Sequence, residues 1–273
     1  MNTYFLSHNC LGDNIANIGA IRFLLNYYEN IYFICKKNYY DNLKLLYVDH
    51  RIHLIPIDAS HETDEYRRIL APIYQQSDMD ILVSGYCFTP FFERKITNTK
   101  LLNHIKAKHC RIQSRFDFIR IFYEDIGLDL SIFYNYFNID SSVSSRYLYE
   151  NIKNYNIIFM HTQCSGDAGN ETCRHIFNGI ISKYTTSDLS TDYLVICSDH
   201  NVYPLTHQYY ILVNQYVNLP VAYYIDIIRE AKNIYVIDSC FSTIVLPLMN
   251  TGRLKTNECQ IFHREDGHVI DFP

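Results

Sequence analysis

Three polar loops, each placed where an apolar run gives way to a helical pattern, contain the side chains that could do chemistry. The first loop follows the apolar run Thr3–Ser7 and contains His8, Gly12 and Asp13. Glycine permits a tight turn there, and a carboxylate or an imidazole can accept a proton. Asp13 and His8 are therefore candidate general bases, although a carboxylate at this place can equally serve only to cap the helix.

The C-terminal loop brings an acid and several hydroxyl groups to the start of a helix. Its residues are Asp238, Ser239, Cys240, Phe241, Ser242 and Thr243. Unpaired amides, hydroxyl groups and the helix dipole together favour a bound anion. This segment therefore predicts an anion site, of which a capping motif explains only a part.

A middle loop and two strand ends supply further candidates. Gly166 lies in a glycine-bracketed loop, residues 165–169, that would let a phosphate or a sugar hydroxyl approach the backbone, although a plain turn explains it as well. His161 and Asp199 follow two apolar runs of the same half of the chain. Both are candidates to line a binding site, and each is as readily an ordinary loop residue.

Short apolar runs alternate with helical periodicity along the chain. The predicted strands are 3–7, 31–35, 52–56, 80–84, 156–161, 193–197 and 233–237, and helices are predicted from 15 onward and over 39–47, 62–75, 116–128, 171–184, 221–231 and 241–249. Continuous apolar strands that alternate with helices predict parallel sheets covered on both faces. Ligands of such sheets bind at the carboxyl ends of the strands, where the three loops lie.

The alternation is interrupted once and then restarts, which predicts two α/β domains. The interruption is the Ser-rich stretch 141–145, which we interpret as a loosening of the pattern. The predicted domains are residues 1–145 and 146–273.

Composition restricts the function classes. The chain has 273 residues and a formal net charge of −5, with no basic run, which argues against a nucleic-acid partner. No apolar stretch reaches the length of a membrane span and the start lacks a signal-peptide pattern, so we expect a cytoplasmic protein. Nine scattered cysteines predict reduced thiols.

The residue bias says little about chemistry. Tyr reaches 25 residues while Trp is absent, a bias typical of A/T-rich codons such as those of a large DNA virus. A viral protein of this kind would act in the cytoplasm of its host.

The segments Leu11–Asp13 and Ala231–Ser239 resemble two elements of glycosyltransferases of the GT-B fold, especially the heptosyltransferase-like glycosyltransferase family 9. In that family the first strand runs into a Gly-Asp turn, and an Asp-Ser/Thr-Gly turn starts the helix beneath the donor's diphosphate. The resemblance implies two Rossmann-like domains that face each other across a cleft. The first would bind the acceptor and the second the nucleotide-sugar.

The resemblance also implies roles for single residues. Asp13 matches the general base that acts on the acceptor hydroxyl, with His8 as the alternative, and the segment Ser239–Thr243 matches the diphosphate turn. His161 would line the cleft, and Asp199 falls where the nucleotide base or ribose lies. The implied reaction uses a nucleotide-sugar as co-substrate, with no metal ion and no other cofactor, and the oligomeric state stays open.

Two departures from the family keep other functions open. Cys240 stands where the family has glycine, and Thr243 stands where it has histidine. An inactive GT-B-like protein that binds a glycan or a protein partner is therefore one alternative. A nucleotide-sugar epimerase of the same fold is another.

Two potential metal motifs are assigned no metal. Asp78 and Asp80 have the Asp-x-Asp form, but they precede a predicted strand, so we expect a solvated turn. Cys164, Cys173 and His175 match no zinc spacing and lack a fourth ligand.

Overall fold

The chain forms two compact units, residues 1–138 and 139–273, in a computed structural model. The structure describes residues 1–7, 10–58, 63–76, 78–85, 93–105, 117–164, 171–186 and 193–270. Each unit is built on one four-stranded sheet in which all strands are parallel. The predicted α/β class with two parallel sheets is confirmed.

The first unit contains four strands and seven α-helices within its described residues. The strands are β1 (Asn2–Leu6), β2 (Asn30–Lys36), β3 (Ile52–Ile57) and β4 (Asp80–Val83). The helices are α1 (Leu11–Ala16), α2 (Ile18–Leu24), α3 (Tyr40–Leu46), α4 (Thr63–Gln76), α5 (Thr99–Leu102), α6 (Asp117–Asp125) and α7 (Ser131–Tyr136). A 3₁₀ turn at Lys37–Tyr39 leads into α3.

The second unit repeats this plan. Its strands are β5 (Asn156–His161), β6 (Tyr193–Cys197), β7 (Asn233–Ile237) and β8 (Glu258–Phe262). Its helices are α8 (Val143–Glu150), α9 (Glu171–Thr185), α10 (Tyr210–Asn214), α11 (Ile225–Glu230), which a 3₁₀ turn at Val221–Tyr224 precedes, and α12 (Ser242–Asn250). In the part of the chain that the structure describes, no helix is long and apolar enough to cross a membrane.

Each sheet has one point at which the direction of strand addition reverses. The strand order is β3-β2-β1-β4 in the first sheet and β6-β5-β7-β8 in the second. The reversals therefore fall between β1 and β4 and between β5 and β7. A reversal of this kind opens a crevice outside the carboxyl ends of the two strands, which is where α/β proteins bind ligands.

The sequence predicted the bounds of β5, β6 and β7 correctly but missed β8. The side chains of β5, β6 and β7 are almost wholly buried, whereas those of the edge strand β8 are of mixed pattern. Glu258 and Gln260 stay partly exposed on it, and only Ile261 and Phe262 are buried. Because two of its five side chains are polar, β8 lacks the continuous apolar run by which the other strands were found.

The single helix predicted after β1 is two helices, because a distant side chain interrupts its hydrogen bonds. The hydroxyl of Tyr123 donates to the carbonyl of Ala16 at 2.7 Å and accepts from the amide of Ala20 at 3.1 Å. In a continuous helix these two backbone groups would bond to each other. Gly19 permits the approach, since a Cβ there would stand 2.8 Å from the hydroxyl oxygen. Asn17 lies at the break between α1 and α2.

The Ser-rich stretch was predicted to be a loosened segment, but in the structure it begins a helix. The hydroxyl of Ser142 accepts from the amide of Ser145 at 2.9 Å and so caps α8. Ser141 and Ser145 both donate to the carboxylate of Asp226 in α11. Serine is frequent in loops and also at helix N-caps, and the second role applies here.

Asp80 is not part of a solvated turn, contrary to the prediction. It is buried at the start of β4, whereas Asp78 is exposed. Its Oδ2 accepts from the hydroxyl of Tyr28 at 2.7 Å and the amide of Asn98 at 3.1 Å, and its Oδ1 accepts from the amide and hydroxyl of Thr97, both at 2.7 Å. Four donors aimed at one carboxylate tie the strand to the following segment.

Asp80→Asn is expected to lower the free energy of unfolding by about 1–3 kcal/mol, because the new NH2 group is a donor and would face donors that now bond to a carboxylate oxygen. Asp78→Asn removes the same charge two residues away at an exposed place and should change it by less than about 0.5 kcal/mol. Urea unfolding followed by circular dichroism measures both. Equal effects of the two substitutions would contradict the structural role of Asp80.

Candidate functional site

All four strands of the second sheet end in polar side chains at the same edge. Because the strands are parallel, residues that follow them in sequence become neighbours in space. These residues are His161 and Thr162 at β5, Asp199 and His200 after β6, Asp238 and Ser239 after β7, and His263 and Arg264 after β8.

His161 and Asp199, two predicted site residues, form a buried pair. The Nδ1 atom of His161 lies 2.7 Å from Oδ1 of Asp199 and 2.8 Å from the hydroxyl of Ser198. The other carboxylate oxygen accepts from the amide and hydroxyl of Thr162 and, at 3.2 Å, from the amide of Gln163. Asp199 thus holds the loop after β5 in place.

The protonation state of this pair follows from its contacts. Burial by itself would raise the pKa of Asp199, but the hydrogen bonds from His161 and Thr162 outweigh burial, and the pKa lies below its usual value. An ionised carboxylate only accepts hydrogen bonds, so Nδ1 of His161 carries the proton. In the neutral ring Nε2 is then the acceptor nitrogen.

The hydroxyl groups of the turn 238–243 are used largely within the turn itself. The hydroxyl of Ser242 donates to the carbonyl of Ser239 at 2.6 Å and accepts from the amide of Ser239 at 3.0 Å. It also lies 3.2 Å from Oδ1 of Asp238. Thr243 donates its hydroxyl to the carbonyl of Cys240 at 2.7 Å. These bonds shape the turn, so a hydrogen-bond donor to a ligand has to come from its main chain.

The first turn of α12 keeps one donor available. The amides of Thr243, Ile244 and Val245 donate to carbonyls of the turn. The amide of Ser242 has no acceptor among the described residues, and it lies at the positive end of the helix dipole. An anion placed here would meet both the amide and the dipole.

Phe241 and Cys240 have structural surroundings in this turn. The ring of Phe241 is 3% exposed and lies 4.5 Å from the ring of His161 and 5.3 Å from that of Phe159, centroid to centroid. Cys240 does not have the positive φ that would favour the family's glycine. Burial raises the pKa of its thiol to about 12, so the thiol is protonated at neutral pH.

Arg264 joins the turn from the neighbouring strand and was missed by the sequence analysis. Its Nη2 lies 3.4 Å from Oδ2 of Asp238, and its buried Nε has no hydrogen-bond partner in the described part of the chain. The side chain is 32% exposed. A guanidinium group is thus placed beside the start of α12. Recognising it required β8, whose end it follows.

A cavity of about 450 Å³ opens beside the same sheet edge, between the end of β5 and α9. It is lined by Thr162, Gln163, Cys164, Arg174, Phe177, Asn178, Ile181 and His200. The volume is in the range of small-molecule sites, and the lining combines apolar side chains with a few polar groups. Arg174 supplies a second cationic group near the strand ends.

At the carboxyl end of the first sheet, Asp13 is held by α1. Its Oδ2 accepts from the amide of Cys10 at 3.0 Å, as a cap does, and the residue is 8% exposed. Beneath it the buried amide of Asn17 donates to the carbonyl of Asp13 and, at 2.8 Å, to the hydroxyl of Ser7. Ser84, which follows β4, donates to Asn17 at 3.0 Å. Asn17 thus joins both strands of the reversal point to the helix of Asp13.

The remaining predicted residues are placed as follows. Gly12 lies inside the first turn of α1, which begins at Leu11, and not in a turn ahead of the helix. His8 and Gly166 lie outside the described residues. The roles predicted for all of these residues stay predictions.

The described residues gather potential metal ligands in two places. One group is Cys197, Asp199 and His200, the other His263, Asp266 and His268. Both carboxylate oxygens of Asp199 are already bonded, one to His161 and the other to Thr162 and Gln163, which makes the first group a poor ligand set. Cys164, Cys173 and His175 do not form such a group, and the described cysteines are free thiols.

Glycosyltransferases are among the solved structures that resemble this chain. A family 9 glycosyl transferase from Veillonella parvula matches with a TM-score of 0.53 and 10% identity, over 90% of this chain and 77% of the other. The E. coli heptosyltransferase WaaC with ADP matches with 0.51 and 10%, over 97% and 92%. E. coli ADP-heptose LPS heptosyltransferase II matches with 0.52 and 12%, over 96% and 84%.

At such low identity the likeness establishes the fold alone. The chain has the two-unit α/β fold of GT-B glycosyltransferases, and the resemblance found in the sequence is confirmed at that level. No protein-family model and no curated protein sequence matches the chain.

Asp199→Asn is expected to remove the bond that fixes the proton on Nδ1 of His161. Because the loop after β5 loses this support, the free energy of unfolding should fall by about 1–3 kcal/mol at neutral pH. Since the pKa of Asp199 is lowered by folding, its stabilising effect is present above its unfolded pKa and is lost as the pH falls through the folded one. The stabilities of wild type and variant should therefore begin to converge as the pH falls below about 4 and become equal below the folded pKa of Asp199.

Nitrogen-15 NMR of the histidine rings and urea unfolding at several pH values measure these effects. Ser198→Ala removes the other partner of His161 and serves as the control, because it leaves the carboxylate in place. A His161 ring that keeps its Nδ1 proton in Asp199→Asn as firmly as in wild type would contradict the assignment.

Proposed function

We propose that the protein is a glycosyltransferase that moves a sugar from a nucleotide-sugar to an acceptor hydroxyl without using a metal ion. The donor would bind at the carboxyl edge of the second sheet and the acceptor at that of the first. The observation that carries the proposal is the convergence of the α12 amide, its dipole and Arg264 at the β5/β7 reversal point.

The donor assignment is supported by what a diphosphate needs. Two phosphate groups carry negative charge that must be compensated, and helix amides together with an arginine can do this in place of a metal ion. The guanidinium of Arg264 already faces a carboxylate oxygen, that of Asp238, at 3.4 Å. The cavity beside Thr162 would receive the rest of the donor.

His161 and Asp199 are proposed to position the donor site. The carboxylate of Asp199 is taken up by His161, Thr162 and Gln163, so it would act through the loop that it holds. The ring of His161 in turn packs on Phe241 in the turn before α12. The pair therefore links the loop after β5 to the turn after β7.

Asp13 is proposed as the general base that takes the proton of the acceptor hydroxyl as its oxygen attacks the anomeric carbon. The leaving nucleoside diphosphate would depart with the bonding electrons and be stabilised at α12. The side-chain amide of Asn17 would hold Asp13 in place by donating to the main-chain carbonyl of Asp13. His8 remains the alternative base.

One observation favours a second candidate, an inactive protein that uses the fold to bind a glycan or a partner. The carboxylate of Asp13 accepts from the amide of Cys10, which is a sufficient structural reason for an acid at this place. This protein would bind a ligand without turning it over.

Nucleotide binding is the first test. A ligand at 100 times its dissociation constant stabilises the folded state by about 2.7 kcal/mol, which raises the melting temperature measurably. We expect nucleoside diphosphates of one base to do so more strongly than the matching monophosphates. No shift with any diphosphate would refute the donor site, and a shift without transfer from the matching nucleotide-sugars would favour the inactive protein.

Arg264→Gln is expected to weaken diphosphate binding about tenfold, because it removes a charged donor to phosphate. The monophosphate should be affected less. Lys255→Gln removes an equal charge at the opposite, amino end of β8, where Lys255 pairs with Glu230, and should change the dissociation constant less than about twofold. Calorimetry measures both. The same loss in both variants would indicate an effect of net charge alone.

Asp13→Asn is expected to lower kcat by a factor of about 10²–10⁴ with little change in nucleotide affinity. The amide oxygen of asparagine can still accept from Cys10, so the helix should stay intact. Transfer from the nucleotide-sugar selected by binding is followed by mass spectrometry. Unchanged turnover would exclude Asp13 as the base, and an epimerised donor formed without acceptor would indicate an epimerase.

A further inference from the structure

The turn that follows β8 gathers two histidines and an aspartate around one point. Its backbone is closed by bonds from the amide of His263 to the carbonyl of His268 and from the amide of Gly267 to the carbonyl of His263, both 2.9 Å. Gly267 has φ +72°, a conformation that side-chain-bearing residues rarely adopt. The turn is therefore a defined structure.

The side chains of this turn share a single carboxylate oxygen. Oδ1 of Asp266 lies 3.0 Å from Nδ1 of His263 and 2.6 Å from Nδ1 of His268. The two imidazole rings stack with their centroids 4.8 Å apart and their planes 26° apart. All three potential ligand atoms lie within 4.8 Å of one another.

These groups are the usual ligands of divalent transition metals, which bind neutral imidazole nitrogen and carboxylate oxygen. Ligand atoms at about 2.1 Å from a tetrahedral ion stand about 3.4 Å apart. The contacts of Asp266 therefore need to open by less than about 1 Å to admit one.

We propose that His263, Asp266 and His268 form a binding site for a divalent transition-metal ion such as Zn²⁺. Nδ1 of each histidine and Oδ1 of Asp266 are the ligands. On binding, each neutral ring carries its proton on Nε2 in place of Nδ1. The side chains of Asp266 and His268 are more than half exposed, so water completes the coordination.

Packing on α9 fixes the turn that contains the three ligands before a metal ion binds. A Cβ on Gly267 would come within 2.7 Å of Cδ1 of Ile176, and the thiol of Cys173 donates to the carbonyl of His263 at 3.3 Å. The ligands are thus already gathered before the ion arrives, which lowers the ordering cost of binding. The site adjoins Arg264, but its three ligands take no part in the proposed chemistry, which uses no metal.

Zn²⁺ titration of the protein without a histidine tag tests the proposal. Calorimetry should give one saturable site per chain, and Co²⁺ should give the visible absorption of a nitrogen- and oxygen-ligated ion. His268→Gln and Asp266→Asn should each weaken binding at least tenfold. Both residues are exposed, and circular dichroism verifies that the variants fold.

Two control variants separate this site from other histidines. His175→Gln removes an exposed histidine of α9, and His200→Gln removes one from the group with Cys197. Both should bind Zn²⁺ as wild type does. Absence of saturable binding, or binding that survives His268→Gln and is lost in His200→Gln, would overturn the proposal.

Discussion

Parallel strand pairing is the constraint on which the rest of this structure depends. A parallel strand can pair with the next only after the chain has crossed back over the sheet, so every strand in a unit ends at the same edge. Segments far apart in the chain, such as the loop after β5 and the turn after β7, thereby become neighbours. The pairing of His161 with Asp199 and of Asp238 with Arg264 follows from that arrangement.

Local sequence patterns were sufficient wherever burial is complete. The strands β5, β6 and β7 could be predicted to the residue because nearly all their side chains are apolar. Edge strand β8 and helix α8 could not, since one is partly polar and the other begins with serines that are equally common in loops. Predicting these two elements depends on knowing which surface they cover.

The polar residues of the structure likewise fall into those that contiguous sequence reveals and those that depend on the fold. The turn 238–243 is contiguous in sequence and could be found from residue types alone. Arg264, Asn17 and Asp80 could not, because each acquires its partners through the order of strands in a sheet. The Asp-x-Asp pattern was interpreted as solvated, yet Asp80 is the acceptor of four hydrogen bonds from residues up to 52 positions away.

The hydroxyl of Tyr123 has a consequence for the order in which the chain acquires its shape during synthesis. It bonds to Ala20 across 103 residues, so the start of the protein leaves the ribosome well before its partner exists. Until then the amide of Ala20 and the carbonyl of Ala16 are free to bond to each other, and one continuous helix can form. The break between α1 and α2 can therefore be fixed only after Tyr123 has been synthesised and has packed against them.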